Sequence, residues 1–558
     1  MEKSHSITTE TAGGLTPIDL CVMGVYLASM IGMGLVIARR QKSTHDFFLA
    51  GRGLPAWAVG LSIFASLLST ITYLGMPGEM FRTGVSFLTR QLPVPLVLVV
   101  VLFVWIPFFM RLKLTSAYEY LEFRFNYTTR CLAAIFCLLL LFGWVSVVVL
   151  TASRALVEIA NLNVPWFFGT NHPESPFRDA DMHLVIISVG MFSVLYTTLG
   201  GIRAVIWTDV IQFFVLLAGA LFTMAYIAWD THSGIGEWIS YSQQYKHEAV
   251  EWFDWDVRNR STVFSISIGM FFWFTCTHGS NQVALQRYFS VKTIAAARKS
   301  YLFSAVASLA VGVVLAGVGV SLMFYMQDHD LPARKVIHTY SQQETTTLSD
   351  ADKISLNDAQ DNVFPQFISL HMPPFLRGLV VAALFAAAMS TIDSGANSTS
   401  TILIIDFLRP LTPSIMKSDG ELRYARLLTA TMGVTVVLYT LGLYHVSKGT
   451  DIITLSQKGF NCFLGPLGAT FVLGMFFPRV TPRSLIPAFL IGEVFGIGSS
   501  FSEEFLAIPF STHLVVPASW TITIVFALLF SVTLNTRATE NQRSWTWIEV
   551  MRNRPAPS

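Results

Sequence analysis

The chain is expected to fold as an all-α integral membrane protein with about 13 transmembrane helices. Three observations predict this. Hydrophobic residues make up 53% of the 558 residues and charged residues only 13%, against about 25% charged in an average soluble domain. Apolar runs of about 20 residues, the length that crosses a bilayer as a helix, recur along the whole sequence. The loops between them alternate between basic and acidic or neutral, as the positive-inside rule requires.

The spans are predicted at approximately Pro17–Ala38, Leu54–Tyr73, Phe87–Met110, Cys131–Asn161, His183–Leu199, Ala204–Asp230 and Thr262–Ala284, then Tyr301–Met326, Arg377–Phe407, Leu422–Tyr444, Asp451–Phe477, Leu485–Ser500 and His513–Leu534. With residues 1–16 outside, every loop assigned to the cytoplasm is basic, from Arg39, Arg40 and Lys42 through Arg111 and Lys113 to Arg287, Lys292, Arg298 and Lys299. Lys417, Arg479 and Arg483 continue the pattern. The acidic stretches near Trp229–Arg260 and Gln327–Phe375 then lie outside, and 535–558 forms a cytoplasmic tail too short for a core of its own. A multi-pass protein of the cell membrane follows, with an extracellular N-terminus and a cytoplasmic C-terminus.

Several classes of function are disfavoured. A formal charge of +2, spread among loops, excludes the concentrated basic face of a nucleic-acid binder. Cys21, Cys131, Cys137, Cys276 and Cys462 lack the spacing of a zinc site or a disulfide framework and read as small buried apolar residues. The segment MEKSHSITTETAGG has neither the basic start nor the early apolar core of a cleaved leader, so the first run is expected to stay as a helix. No His-Glu-x-x-His, Gly-x-Ser-x-Gly or Gly-x-x-x-x-Gly-Lys motif occurs, so no catalytic residue is assigned.

The chemistry lies in spans that are too polar. The second is crowded with Ser62, Ser66, Ser69, Thr70 and Thr72 before Gly75 and Pro77. A broken helix fits, because unwound backbone at membrane depth is tolerated where it lines a cavity and can offer carbonyls to a cation. Small residues that permit close helix packing fit equally well. The seventh span is interrupted in the same way by Thr275, Thr277, His278, Gly279, Ser280 and Asn281. Paired interruptions point to a transporter's midplane site, although His278 by itself also reads as a hydrogen-bonded structural residue. In the third span Arg90 and Gln91 precede Pro93 and Pro95; Arg90 either grips an anionic substrate or snorkels to the interface.

Asp209 enters the sixth span one turn after a Gly-Gly pair. Arg203 offers it a plain ion pair, but Asp393 is a second buried carboxylate and no buried Lys or Arg is evident nearby, so an ion pathway is preferred. The ninth span carries Ser390, Thr391, Asp393, Ser394, Asn397 and Ser398 in its apolar middle. Ser390, Asp393 and Ser394 stand at i, i+3 and i+4 on one helical face, where their oxygens suit a hard cation.

The segments FFLAGRGLPAWAVGLS, LGMPGEMFRTG, LTSAYEYLEFRFN, LGGIRAVIWTDVIQ, GSNQVALQRYFSVK and AALFAAAMSTIDSGANS, in this order, closely resemble the sodium:solute symporters, the group of sodium/glucose, sodium/proline, sodium/iodide and sodium/monocarboxylate transporters. The resemblance runs from about Pro17 to Phe477. It implies a LeuT-like five-plus-five inverted repeat with broken first and sixth core helices. The transporter domain would be 17–534, with repeats near 54–230 and 262–477 and peripheral helices at 17–38, 485–500 and 513–534.

The resemblance also implies a sodium site of the Ala65, Leu68 and Ala387 carbonyls with the Ser390 and Thr391 hydroxyls. A possible second cation site would use Asp209, Asp393, Ser394 and Ser390. The sequence departs from the commoner family pattern at Asp393, which can strengthen a cation site, replace it with a proton site or hydrogen-bond within the bundle; a cation role is preferred. Positions corresponding to sugar contacts are Thr72, Gln91, Val94, Phe274 and Ser308, two of them apolar, and Met76 matches an outer gate. Ser69, Thr277, His278 and Asn281 complete the substrate candidates together with Arg90. The expected function is sodium-coupled import of a small organic solute or anion by alternating access. The leaning is toward the monocarboxylate, vitamin and iodide branch, with sugar or amino-acid symport as the alternative and a membrane-embedded enzyme or solute sensor as rivals of another class.

Overall fold

The computed structural model describes residues 15–553 apart from 40, 42, 161–179, 245–250, 257–261, 328, 330–335, 338–349, 413–419, 448–451, 507, 509 and 536, and among these every regular element is helical. Most of the tail expected at 1–16, and Arg40, Lys42, Arg260 and Lys417, lie outside the described residues.

Helix α1 (Pro17–Ala38) opens on a capping box: Thr16 Oγ1 accepts from the Asp19 N–H, and Asp19 Oδ2 accepts from the Thr16 N–H at 3.0 Å. The second predicted span is two helices, α2 (Ala56–Leu67) and α3 (Thr70–Thr83). Leu68 (φ −86°, ψ 112°) and Ser69 (φ −105°, ψ 171°) are extended between them. The hydroxyl and β-branched run Ser69-Thr70-Ile71-Thr72 is a poor helix continuer. Helix α4 (Leu88–Leu112) contains a π turn at Val101–Trp105, two residues before Pro107, whose missing N–H disturbs the ladder there.

After α5 (Tyr127–Ala160), the run Ala180–Asp230 is split at Gly201 into α6 (180–200) and α7 (202–230). Gly201 sits at φ 54°, and a Cβ there would stand 2.7 Å from the Phe47 carbonyl oxygen, so glycine is required twice over. The seventh span breaks at Asn281 (φ −83°, ψ 124°) into α8 (Val263–Ser280) and α9 (Gln282–Phe289). Asn281 Oδ1 accepts from the Val283 N–H at 2.9 Å and caps the second half.

Then follow α10 (Ile294–Tyr325), α11 (Leu376–Leu411), α12 (Gly420–Val446), α13 (Ile452–Phe476), α14 (Pro482–Ser500) and α15 (Val515–Thr533). Nine helices among the described residues are long and apolar enough to cross a membrane unaided. The two broken pairs, α6 and α14 make up the remainder of the thirteen predicted spans.

Helix α11 is the centre of the molecule. Of its most apolar window 89% is buried, against 22% for α1, which marks α1 as peripheral. It packs against α1, α5, the α6–α7 run and α12. Between lipid-soluble helices the hydrophobic effect gives little preference, so contact depends on close packing and polar links. Gly60 permits a close approach of α2 to α10, because a Cβ there would collide with the Ser300 carbonyl oxygen.

Candidate functional site

The break between α2 and α3 faces the middle of α11. The last carbonyls of α2 have no intrahelical donor, and the negative end of the helix dipole points the same way. Ser390 Oγ donates to the Ala65 carbonyl at 2.9 Å and lies 3.1 Å from that of Ala387. Thr391 Oγ1 lies 3.4 Å from both the Ser66 and the Ala387 carbonyl oxygens. Leu68 caps the end of α2 beside them. Ala65, Ala387, Ser390, Thr391 and Leu68 are all buried. The structure therefore gathers the residues expected around a sodium ion into one pocket of uncharged oxygens, the donor type that hard monovalent cations prefer. Among the described residues no cluster of three or more His, Cys, Asp or Glu could hold a metal ion.

One helical turn further along α11 the character changes. Asp209 of α7 is fully buried and accepts from Ser62 Oγ at 2.5 Å, Ser66 Oγ at 3.2 Å and Arg287 Nη2 at 3.1 Å. Arg287, also fully buried, extends from α9 and donates to Ser62 Oγ (2.9 Å), the Val283 carbonyl (2.8 Å) and Ser394 Oγ (2.5 Å). This corrects the expectation that no buried basic residue stands beside Asp209. Arg287 belongs not to a loop but to a half-helix that folds back among α2, α7 and α11. Arg203 points elsewhere, donating to the Ala50 carbonyl at 3.5 Å. Asp393 Oδ1 lies 2.6 Å from Thr197 Oγ1 of α6. Ser394 Oγ is 2.6 Å from the Ser390 carbonyl and 2.8 Å from Ser66 Oγ, so the two clusters are continuous.

On the other side of the α2–α3 break lies a cavity of roughly 270 Å³. Its polar lining includes Thr72, Arg90, Gln91, His278, Gln457 and Asn461, and its aromatic lining includes Phe64, Trp144, Trp273, Phe274, Tyr301 and Phe460. Among the lining residues Arg90 is the one formally charged side chain. His278 Nδ1 is 2.8 Å from the Tyr288 hydroxyl, a contact that ties α8 to α9 across their break. Leu68 lines the cavity while its neighbours Ala65 and Ser66 face the oxygen pocket, so the two sites share one stretch of backbone.

Thr72, Met76, Arg90, Gln91, Val94, Phe274, His278 and Ser308 thus reach the cavity as expected. Ser69, Thr277 and Asn281 do not line it. Ser69 starts α3, Thr277 is fully buried, and the Asn281 side chain is used as a helix cap. Trp144 of α5 and Gln457 and Asn461 of α13 were not anticipated; they lie on spans without the polar interruptions that mark the broken helices.

Residues 47–169 and 176–492 match the sodium:solute symporter family. A sodium/sialic acid symporter of Aliivibrio fischeri is 30% identical over 471 residues, covering 84% of this chain and 85% of its own. A sodium-dependent multivitamin transporter of Oryctolagus cuniculus is 29% identical over 538 residues, covering 93% of this chain and 77% of its own. Among solved structures, a sodium-coupled sialic acid symporter in a substrate-bound outward-open state superposes with a TM-score of 0.73 at 25% identity, covering 92% of this chain and 98% of its own. A nucleobase-cation-symport-1 transporter, at 12% identity and a TM-score of 0.51 over 90% of this chain and 97% of its own, shares the fold.

Proposed function

Because the chain belongs to the sodium:solute symporter family, we propose that it imports a small organic anion together with sodium by alternating access. Sodium-coupled symport and a multi-pass, LeuT-like membrane fold are properties of the family. The substrate class, the site residues and the orientation are our reading. Sodium binds the carbonyls of Ala65, Leu68 and Ala387 and the hydroxyls of Ser390 and Thr391, drawing α2 and α11 together. The substrate occupies the adjoining cavity. The basic-loop end faces the cytoplasm, so the cell's potential assists entry by about 2.3 kcal/mol per positive charge per 100 mV.

One observation carries the substrate class: among the described residues that line the cavity, Arg90 is the one formally charged side chain, set among aromatic and aliphatic groups. A single guanidinium suits one carboxylate, which it can hold in bidentate fashion. The relatives carry sialic acid in one case and vitamins in another, so the leaning toward the monocarboxylate, vitamin and iodide branch is not carried further than a carboxylate-bearing organic solute. The sugar pattern is disfavoured by the apolar Val94 and Phe274. Arg287 already supplies a positive charge to Asp209, so Asp209 is read as neutralised within the bundle, and of the expected second cation site Asp393 and Ser394 are kept as the candidates.

The deciding experiment is uptake into proteoliposomes of a panel containing sialic acid, short monocarboxylates, vitamins and neutral sugars, with and without an inward sodium gradient. A carboxylate accumulates unchanged and only with sodium, and Arg90→Gln raises its KM at least tenfold. Accumulation of a neutral sugar instead, or a KM unaltered by Arg90→Gln, overturns the anion reading. A chemically altered product would favour an enzyme.

A further inference from the structure

The cavity is braced from outside the broken helices. Gln457 and Asn461 stand at i and i+4 on α13, and both line the cavity. The turn 511–514, between the peripheral helices α14 and α15, touches both of them. Thr512 in this turn holds the two amides: its hydroxyl donates to Gln457 Oε1, and its main-chain carbonyl accepts from Asn461 Nδ2 at 2.9 Å. A carbonyl oxygen can only accept, so the end of Asn461 that meets it is the NH2 end. The polar atom left over is Asn461 Oδ1, which is buried without a hydrogen-bond partner among the described residues. Gln457 is the mirror case, because Thr512 takes up its oxygen and leaves its NH2 end. Thr512 itself does not line the cavity.

The turn is held in place by other contacts. Lys458, next to Gln457, sets its Nζ 2.5 Å from Glu504 Oε1, which lies on the same connection as the turn. The Phe510 ring packs edge-on against Phe495 of α14, with centroids 6.3 Å apart. Helix α8 approaches so closely at Gly269 that a Cβ there would collide with the His513 carbonyl oxygen, and the next residue, Met270, lines the cavity. The Leu514 N–H donates to the Ser511 carbonyl at 2.9 Å and closes the turn. Thr512 is therefore anchored against α8, α13 and α14 before any solute arrives. A long amide that is free to turn must be ordered when a solute binds, whereas one already oriented is not. A buried acceptor such as Asn461 Oδ1 is costly to leave unmade, and a donor on the solute would meet it.

We propose that Thr512 is a positioning residue for the transported solute, acting through Gln457 and Asn461. It presents the NH2 group of Gln457 and the carbonyl oxygen of Asn461 to the cavity, one donor and one acceptor a helical turn apart. The cavity then selects a solute that carries a hydrogen-bond acceptor and a donor, such as hydroxyl or amide groups, apart from any carboxylate held by Arg90. A bare alkyl acid leaves both amides unmet. The proposal rests on the reading of this cavity as the solute site, and it gives the peripheral helices a part in choosing the solute.

The test is sodium-driven uptake of the same panel into proteoliposomes by the full-length protein, with lactate and propionate, which differ by one hydroxyl, as the monocarboxylates. Thr512→Val keeps the shape and removes the hydroxyl. It should raise the KM of the accumulated solute about fivefold, the order expected when one side chain has to be ordered on binding, with kcat unchanged. Thr512→Ser restores the wild-type KM. In a Gln457→Leu background Thr512→Val should shift KM by less than about twofold, because the hydroxyl then has nothing to orient. Electron cryomicroscopy of Thr512→Val in lipid nanodiscs needs no solute: Gln457 is expected to leave the turn and Asn461, held by the main chain, to stay. A wild-type KM in Thr512→Val, an equal loss in the Gln457→Leu background, or Gln457 unmoved in the variant overturns the proposal. So does propionate accumulating in preference to lactate and to every other member of the panel. If a neutral sugar accumulates instead of a carboxylate, the anion reading falls alone and the Thr512 contrast is read on that sugar. If the wild type takes up no member, the proposed function falls and the structural comparison still decides the role of Thr512.

Discussion

Removing Arg287 gives the sharpest measure of what holds the centre of the bundle. Its guanidinium joins α9 to α2 through Ser62, to α7 through Asp209 and to α11 through Ser394. In Arg287→Met, Asp209 keeps only the Ser62 and Ser66 hydroxyls, and its Oδ1 already lacks a hydrogen-bond partner. Breaking a buried pair by deleting one partner costs about 3–5 kcal/mol. A lone carboxylate at mid-membrane costs about 2.5–3.5 kcal/mol on insertion scales. The two agree near 3 kcal/mol, and we expect Arg287→Met to lose about that much. Asp209→Asn in the same protein removes the stranded charge and should recover about 2 kcal/mol, because replacing both members of a buried pair is often close to neutral. Unfolding in mixed micelles, followed by circular dichroism, gives all four corners of the double-mutant cycle. If Arg287→Met unfolds within about 0.5 kcal/mol of the wild type, or if the double variant is no more stable than the single, the pair does not hold the bundle and the reasoning fails.

The other predictions follow from the same geometry. Ser390→Ala and Thr391→Ala each remove one of the proposed sodium oxygens and should raise the half-saturating sodium concentration of uptake about tenfold, equivalent to about 1.4 kcal/mol; a sodium dependence untouched in both removes the assignment. Gly201→Ala puts a Cβ 2.7 Å from the Phe47 carbonyl at a φ of 54° and should cost about 1–3 kcal/mol, read from the same unfolding titration, where wild-type stability would show that the turn tolerates a side chain.

Much of this architecture was legible because membrane helices advertise their exceptions. Ser62, Ser66, Ser69, Thr70 and Thr72 announced the α2–α3 break, the Gly-Gly pair announced the split at Gly201, and the polar run Thr275–Asn281 announced the second break. Ser390 and Thr391 stood out for the same reason. What escaped was anything that depends on where a chain goes after a break. Arg287 follows Asn281 by six residues and counts as a loop cation in any tally of basic residues. Only the return of α9 into the bundle buries it, together with its neighbours Val283, Leu285, Tyr288 and Phe289. Ser69, Thr277 and Asn281 stand at the breaks without lining the cavity, and the Asn281 side chain shows that a polar residue at a break can serve the backbone, as the cap of α9. Trp144, Gln457 and Asn461 face the cavity from long unbroken helices, and nothing in a single sequence distinguishes their face from its neighbours.

The oxygen pocket at Ala65, Ala387, Ser390 and Thr391 carries no formal charge, and the two carboxylates beside it are engaged with Arg287 and Thr197. An ion held only by dipoles sits in a shallow well. At the proposed site such an ion would enter when sodium is plentiful and escape quickly where sodium is scarce, the compromise that also lets ions pass through a selective pore. An anionic ligand in that shell would deepen the well and lengthen the stay of the ion on the side where it has to leave. In the proposed sodium site, acids kept out of the shell would favour rapid turnover over tight capture.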